Sequence, residues 1–258
     1  MRLVFFGDVV GKPGRRGVAR YLPTLGTVDF VVANGENSAG GIGIDPGSAR
    51  ELLAAGVDVL TSGNHIWAKR EIIEYMTDSD VVLRPANFAP STPGWGYAIK
   101  TSRSGVPVAV VNLIGRVFMN TYDCPFRVVD SVLESVGSRA KVVLVDMHAE
   151  ATSEKVAMGW YLDGRVSLVV GSHTHVQTAD ERVLPNGTAY LTDAGMCGPR
   201  DSVIGVKREQ VLRRFLTQMP GRFEVADGAV VVQGVVVDVD PDTGKAIEIR
   251  RFQEIIPS

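Results

Sequence analysis

The amino-acid sequence predicts an α/β fold in which mixed β-sheets flanked by helices stack as a sandwich. Three features predict it. The N-terminal third repeats strand, loop and helix signals, which the right-handed crossover rule turns into a parallel or mixed sheet with helices on its faces. The middle and C-terminal parts add hairpin signals between β-rich runs. Several strand-like runs are apolar throughout, the pattern of a buried strand.

Leu3 to Phe6 is a first buried strand, stopped at once by Gly7 and Asp8, so Asp8 is expected at a strand end. Pro13 opens a helix to about Leu22, packing through Val18, Tyr21 and Leu22. Phe30 to Ala33 is the second strand, running into Asn34-Gly35-Glu36-Asn37 and a glycine-rich loop. A helix from about Pro46 to Ala55 leads to a strand over Val57 to Thr61, which stops at Ser62-Gly63-Asn64-His65. A helix over Lys69 to Met76 and a short strand near Val81 to Leu83 follow. Gly96 to Thr101 and Pro107 to Leu113 form a hairpin around Ser102-Arg103-Ser104-Gly105. From Gly115 the chain is irregular as far as Phe126. Phe126 to Val136 is a helix, Lys141 to Met147 a strand ending at His148, and Ser153 to Leu162 a helix. Val166 to Val170 is a buried strand that runs into Gly171-Ser172-His173-Thr174-His175. Pro185-Asn186-Gly187 turns a hairpin whose return strand leads to Asp193-Ala194-Gly195. A helix over Arg208 to Thr217 precedes strands at Val230 to Val239 and Ala246 to Phe252, joined by the Pro241–Gly244 turn. One domain over residues 1–258 is expected, without repeats or low-complexity linkers.

Composition narrows the function. Charged residues make up 22% and the hydrophobic set 45%, which is ordinary globular usage and argues against disorder. A net charge of −2 with no block of like charge gives no electrostatic footprint for duplex DNA or a membrane surface, while leaving a short RNA or a nucleotide open. Cys124 and Cys197 form no CxxC pair, which suits a reducing cytoplasm. No run approaches the roughly 20 apolar residues of a membrane span, and the N-terminus lacks signal-peptide features, so a cytoplasmic protein is expected.

The chain contains four histidines, His65, His148, His173 and His175, and all are expected at strand ends. In an open α/β sheet the carboxyl ends of the strands line the crevice where ligands bind. Collecting the polar residues there gives Asp8, Glu36, Asn37, Asn64 and the four histidines. Imidazole, carboxylate and amide donors without thiolates suit manganese, iron or zinc rather than a soft sulfur site. So many donors are what two ions roughly 3.5–4 Å apart would use, with one carboxylate bridging, an arrangement that clamps both oxygens of a phosphoryl displacement.

The ordered motifs Gly7-Asp8, Asn34-Gly35-Glu36-Asn37, Gly63-Asn64-His65, the lone His148 and Gly171-Ser172-His173-Thr174-His175 resemble those of the calcineurin-like metallophosphoesterase superfamily. Two positions depart from its pattern: Val10 stands where a histidine is usual, and Glu36 replaces the bridging aspartate. Those departures are similar to the bacterial YmdB-type 2′,3′-cyclic nucleotide 2′-phosphodiesterases, which have a Glu-Asn pair at the second motif. The resemblance implies a metallophosphoesterase-like β-sandwich. It also implies two divalent or mixed-valence ions, iron or manganese before zinc. One would be held by Asp8, Glu36, Asn37 and His175, the other by Glu36, Asn64, His148 and His173, with Asn37 compensating for the histidine missing at Val10.

The hypothesis that follows is hydrolysis of 2′,3′-cyclic nucleotides to 3′-nucleotides, by attack on phosphorus of a hydroxide held between the ions, with His65 as general acid toward the departing ribose oxygen. Arg116, Phe118 and Tyr122 are candidate substrate-binding residues on the irregular stretch, and Arg200 on the loop from Asp193 to Gly205, a second candidate rim of the site. Cyclic ends of RNA fragments present a similar diester, and a homo-oligomer is expected from the resemblance. The rival readings are a phosphomonoesterase or nuclease of the same superfamily, or a weakly catalytic metal-binding regulatory protein.

Overall fold

The computed structural model describes residues 1–257. The chain runs β1 (Arg2–Phe6), β2 (Asp8–Val9), α1 (Gly11–Tyr21), β3 (Phe30–Asn34), α2 (Pro46–Ala54), β4 (Val59–Thr61), α3 (Ile72–Asp78), β5 (Tyr97–Thr101) and β6 (Pro107–Ile114). It continues through α4 (Pro125–Val136), β7 (Val142–His148), α5 (Thr152–Tyr161), β8 (Leu168–Ser172), β9 (Arg182–Val183) and β10 (Ala189–Leu191). The last elements are β11 (Met196–Pro199), α6 (Arg208–Thr217), β12 (Val230–Val239) and β13 (Ala246–Ile256).

These strands form two mixed sheets. One has the order β2-β11-β12-β1-β3-β4, with β13 on the other edge of β12; the second has the order β5-β6-β7-β8-β10-β9. The period of two residues explains how they stack. In β1, Leu3 and Phe5 join Val142 and Leu144 of β7 in the core between the sheets. Val4 and Phe6 point the other way, onto Val18 of α1 and Leu52 of α2. Likewise Val143, Val145 and Met147 turn outward onto Val129 of α4 and Met158 of α5. The result is a helix, sheet, sheet, helix sandwich, as the hydrophobic pattern predicts.

The same period builds the floor of the polar site. Phe30 and Val32, Val59, Val142 and Leu144, and Leu168 and Val170 all face between the sheets. The next positions of that parity are Asn34, Thr61, Asp146, His148 and Ser172, all fully buried. Thus the inter-sheet face is apolar along most of its length and becomes polar at the carboxyl ends of the strands.

Two local expectations are corrected. Asp8 does not simply end the first strand but belongs to β2, which pairs in parallel with β11, an element too short to show periodicity. Residues 81–83 form isolated bridges, Leu60 with Val82 and Leu83 with Trp95, rather than a strand. Leu22 caps α1, its amide donating to the Val18 carbonyl, and the chain tightens from there into a 3₁₀ turn over Leu22–Leu25, because Pro23 cannot donate the next helical hydrogen bond.

The insertion of β11 positions Asp8. β1 and β11 occupy successive stretches of one edge of β12, residues 234–238 and 230–232. The N-terminal chain must therefore step sideways at Gly7. A Cβ at Gly7 would lie 2.1 Å from the Gly195 carbonyl oxygen, so only glycine permits this approach. The step breaks the alternation: Val4, Phe6 and Val9 all face the helix layer, which sends Asp8 to the opposite face.

Candidate metal centre

His148 is the best-fixed donor. It is the last residue of β7 and fully buried. Its Nδ1 lies 2.9 Å from Ser172 Oγ, and the Ser172 hydroxyl in turn donates to Asp146 Oδ1 at 2.7 Å. Asn34 also donates to Asp146, at 3.1 Å. This chain keeps the ring proton on Nδ1 and leaves Nε2 to face the site, the usual second-layer device behind a metal-binding imidazole. Around that Nε2 stand Glu36 Oε1, Asn64 Oδ1 and His173 Nδ1, each at 3.1 Å. Gly63 makes this convergence possible, since a Cβ there would sit 2.1 Å from the His148 ring.

The other donors come from loops. His173 and His175 have φ of 100° and 63°, unfavourable for residues with a Cβ, as is common at functional sites. A buried pair, Lys155 and Asp193 at 2.6 Å, fastens that loop: Asp193 accepts from the Thr174 hydroxyl at 2.7 Å and its amide at 3.2 Å. The His173 amide donates to Asp8 Oδ2 at 3.0 Å. His175 Nε2 lies 3.2 Å from Asn37 Nδ2 and 3.7 Å from Asp8 Oδ1, while its Nδ1 meets the Ile204 carbonyl at 3.0 Å. Val10, where a histidine is usual, offers no donor and packs with Met196 and Val231.

The electrostatics of this cluster call for a cation. Burial alone would raise the Glu36 carboxyl, but the charge and hydrogen bond of His148, with help from His65, hold it down at about 2. Burial opposes protonation of His148, yet Glu36, Asp8 and Asp146 outweigh it and push the imidazole up to about 9. His173 goes the other way, to about 3, through burial and the neighbouring His148 charge. Burial raises the Asp8 carboxyl. Asp8 Oδ1 is buried and finds no hydrogen-bond partner, a costly state for a carboxylate oxygen that a bound cation would relieve. Glu36, His148 and His173 alone bring ligand atoms within 4.8 Å of one another. The residues therefore fit a divalent metal ion, with Glu36, His148 and His173 as one set of donors among the described residues and Asp8, Asn37 and His175 as a neighbouring set of polar side chains.

His65 stands beside these sets. Its amide donates to Glu36 Oε2 at 3.1 Å, and the Asn64 amide donates to its Nε2 at 3.2 Å. With Glu36, Asn37, His173 and His175 it lines a cavity of about 660 Å³ whose opposite wall is Ile42, Ile204, Val206, Phe223 and Val225. None of the four substrate-side candidates lines this cavity. Arg116 and Phe118 lie on the exposed loop after β6, where Glu154 accepts from the Arg116 and Val117 amides and Phe118 is 89% exposed. Arg200 borders a separate hollow beside His175, and Tyr122 one beside Asn64.

The reading of the sequence missed several residues. Asp146, a carboxylate within an apolar strand, carried a legible signal. Glu150, 3.1 Å from His173 Nε2, carried none, whereas the candidate rim from Asp193 to Gly205 does reach the site through the Ile204 carbonyl at His175.

A profile of the YmdB-like protein family matches residues 4–252. The chain belongs to the YmdB-like family. It is 48% identical over 255 residues to the 2′,3′-cyclic-nucleotide 2′-phosphodiesterase of Bacillus subtilis (strain 168), covering 98% of this chain and 96% of that one. A crystal structure described as a novel phosphatase from Mycoplasma pneumoniae superposes with a TM-score of 0.92 at 33% identity, covering 99% of this chain and 93% of that chain. The calcineurin-like phosphoesterase YfkN of Bacillus subtilis superposes with a TM-score of 0.57 at 11% identity, over 98% of this chain and 90% of that chain. This likeness is one of fold alone. The YmdB-like chain thus has the calcineurin-like phosphoesterase fold, and membership of a metallophosphoesterase family implies divalent metal ions. Among the described residues no helix is long and apolar enough to cross a membrane.

Proposed function

We propose that the chain is a dinuclear-metal phosphodiesterase that hydrolyses 2′,3′-cyclic nucleotides to 3′-nucleotides. The observation that carries the reading is the convergence of Glu36, Asn64 and His173 on His148 Nε2, with Asn37 and His175 paired beside Glu36. Asp8, Glu36, Asn37 and His175 would hold one ion, and Glu36, Asn64, His148 and His173 the other. Two such ions, iron or manganese before zinc given the thiolate-free donors, would polarise the phosphoryl oxygens and lower the pKa of a bound water. The name of the Bacillus subtilis relative supports the choice of a cyclic diester.

The chain's own residues supply the rest. Opening the ring adds water to phosphorus, breaks its bond to the ribose 2′ oxygen and leaves that oxygen needing a proton. His65 would give it as an imidazolium, since its ring is part of the cavity lining. Asn64 would link the two roles, its oxygen directed at the ion site and its amide orienting the acid. A cyclic phosphate at the end of an RNA fragment presents the same diester. Self-association belongs to the same reading, because Leu212, Phe215, Leu216 and Met219 leave an apolar face exposed on and just after α6. The two cysteines are free, which suits the reducing cytoplasm.

The test is product analysis with 2′,3′-cyclic AMP, using metal-stripped protein before and after addition of manganese or ferrous iron. Metal-dependent release of 3′-AMP is expected. Release of 2′-AMP or of inorganic phosphate would move the chain to another phosphoesterase activity. His65→Ala should lower turnover roughly 10²–10⁴-fold, the worth of a general acid, and leave metal content unchanged by elemental analysis. Loss of metal together with turnover would make His65 a structural or ligating residue instead.

A further inference from the structure

The main cavity ends at His65, and a second hollow begins behind Asn64. It measures about 610 Å³ and is lined by Asn64, Trp67, Phe88, Asn120, Tyr122 and Asp123 among others. Asn64 links the two, lining the second hollow and contacting both His65, which lines the main cavity, and His148. Three aromatic rings belong to the second hollow's lining, Phe88 buried and Trp67 and Tyr122 half-buried over it. Phe88 and Tyr122 stack at 5.0 Å with 17° between their planes, and Trp67 leans on Phe88 at 6.4 Å and 46°. The main cavity has no such cluster: apart from its histidines, Phe223 is the one aromatic side chain in its lining, set among aliphatic side chains.

The loop that brings Tyr122 is fixed by its backbone. Asn87 Nδ2 donates to the carbonyls of Ile114 and Asp123, at 2.8 and 2.9 Å, and the Asp123 amide donates back to the Asn87 carbonyl at 3.1 Å. The ring is therefore held in place before anything stacks on it. Trp67 and Tyr122 remain only half-buried.

We infer that this second hollow is the nucleobase subsite, so that a nucleotide spans Asn64 with its phosphate beside His65 and its base against Trp67, Phe88 and Tyr122. The inference rests on the phosphodiesterase reading. Stacking on aromatic rings tolerates every base, so the subsite distinguishes nucleotides from other diesters without choosing among bases. Asn120 and Asp123 offer an amide and a carboxylate to the edge of a stacked ring.

The experiment compares two substrates on the manganese-loaded protein: 2′,3′-cyclic AMP and ribose 2′,3′-cyclic phosphate, which lacks the base. Wild type should favour the nucleotide roughly 10- to 100-fold in kcat/KM, the usual effect of one stacked base, with the difference residing in KM. Tyr122→Leu should collapse that preference. Equal use of both substrates by wild type, or a Tyr122→Leu variant that slows both by the same factor, would overturn the subsite. A second readout does not need turnover: 3′-AMP added to metal-free protein should quench tryptophan fluorescence, and Trp67→Phe should abolish the quench. Quenching without hydrolysis of either substrate would leave the subsite standing and remove the phosphodiesterase reading. Absence of both would remove the two together.

Discussion

The two halves of the donor cluster are built differently. The His148 half grows out of the sheets: its central ring ends β7, Asp146 of the same strand sits behind it, and Asn34 of β3 and Ser172 of β8 brace it from neighbouring strands. The His175 half is assembled from loops, on strained backbone, against the carbonyl of Ile204 and beside an Asp8 oxygen that has no partner. One half is thus organised before any ion arrives, while the other depends on segments that approach from distant parts of the chain. Preorganisation lowers the cost of binding, so the His148 half should take the first ion and take it more tightly.

The largest effect is expected from His148→Ala. Activity should vanish, and the metal-free protein should lose about 3–5 kcal/mol in a denaturant titration, because buried Glu36 is left without its partner. His175→Ala should remove activity as well but retain one tightly held ion, read as a single equivalent by calorimetry. Loss of both ions in both variants would show one cooperative unit and abolish the distinction between the halves.

A smaller effect follows from protons. In the metal-free protein His148 is raised from 6.5 to about 9, so its contribution to stability is fully present below pH 6.5 and is lost as pH rises through about 9. Glu36 is lowered from 4.5 to about 2, so its contribution is present above pH 4.5 and is lost as pH falls toward about 2. The stabilisation that this pair gives the metal-free protein, read as the melting-temperature difference from His148→Gln, should be greatest between those limits, at pH 4.5–6.5. Metal binding at neutral pH must expel the His148 proton, and titrations in buffers of different ionisation enthalpy should count roughly one proton released. Uptake without proton release would place the first ion away from His148.

The smallest effect sharpens the picture of the loop half. Ile204 has φ of 47°, a poor conformation for a β-branched residue. Ile204→Gly should relieve that strain, keep the carbonyl that meets His175 and change stability by less than about 1 kcal/mol, with the metal count intact. A large drop in melting temperature would mean that the Ile204 side chain, rather than its backbone, holds the loop.

The contrast between the halves also marks where the sequence was legible. Strands such as residues 142–148 and 168–172 announce themselves by apolar runs, and their polar ends at His148 and His173 follow directly. Glu36 and Asn64 were readable for the same reason, as the residues just beyond β3 and β4. What stayed hidden depends on contacts between remote segments. β2 and β11 have two and four residues, too few for a period to emerge, so the step at Gly7 that turns Asp8 inward could not be foreseen. The cavity wall at Val206 and Phe223 comes from the chain flanking α6, where nothing in composition signals proximity to the histidines. Tyr122 was noticed as a ring on an irregular stretch, but its stacking on Phe88 is a tertiary fact.

The sharing of one edge of β12 by β1 and β11 has a consequence for synthesis. Asp8 leaves the ribosome long before β12, the strand of residues 230–239 against which its neighbourhood is aligned. The N-terminal ammonium itself is bonded to the Val239 carbonyl at 2.7 Å. A nascent chain ending anywhere before β12 can pair β1 with β3 but cannot fix the step that presents Asp8. The metal centre is therefore a late product of translation, and a truncated chain would carry most of the donor residues without the arrangement that makes them a site.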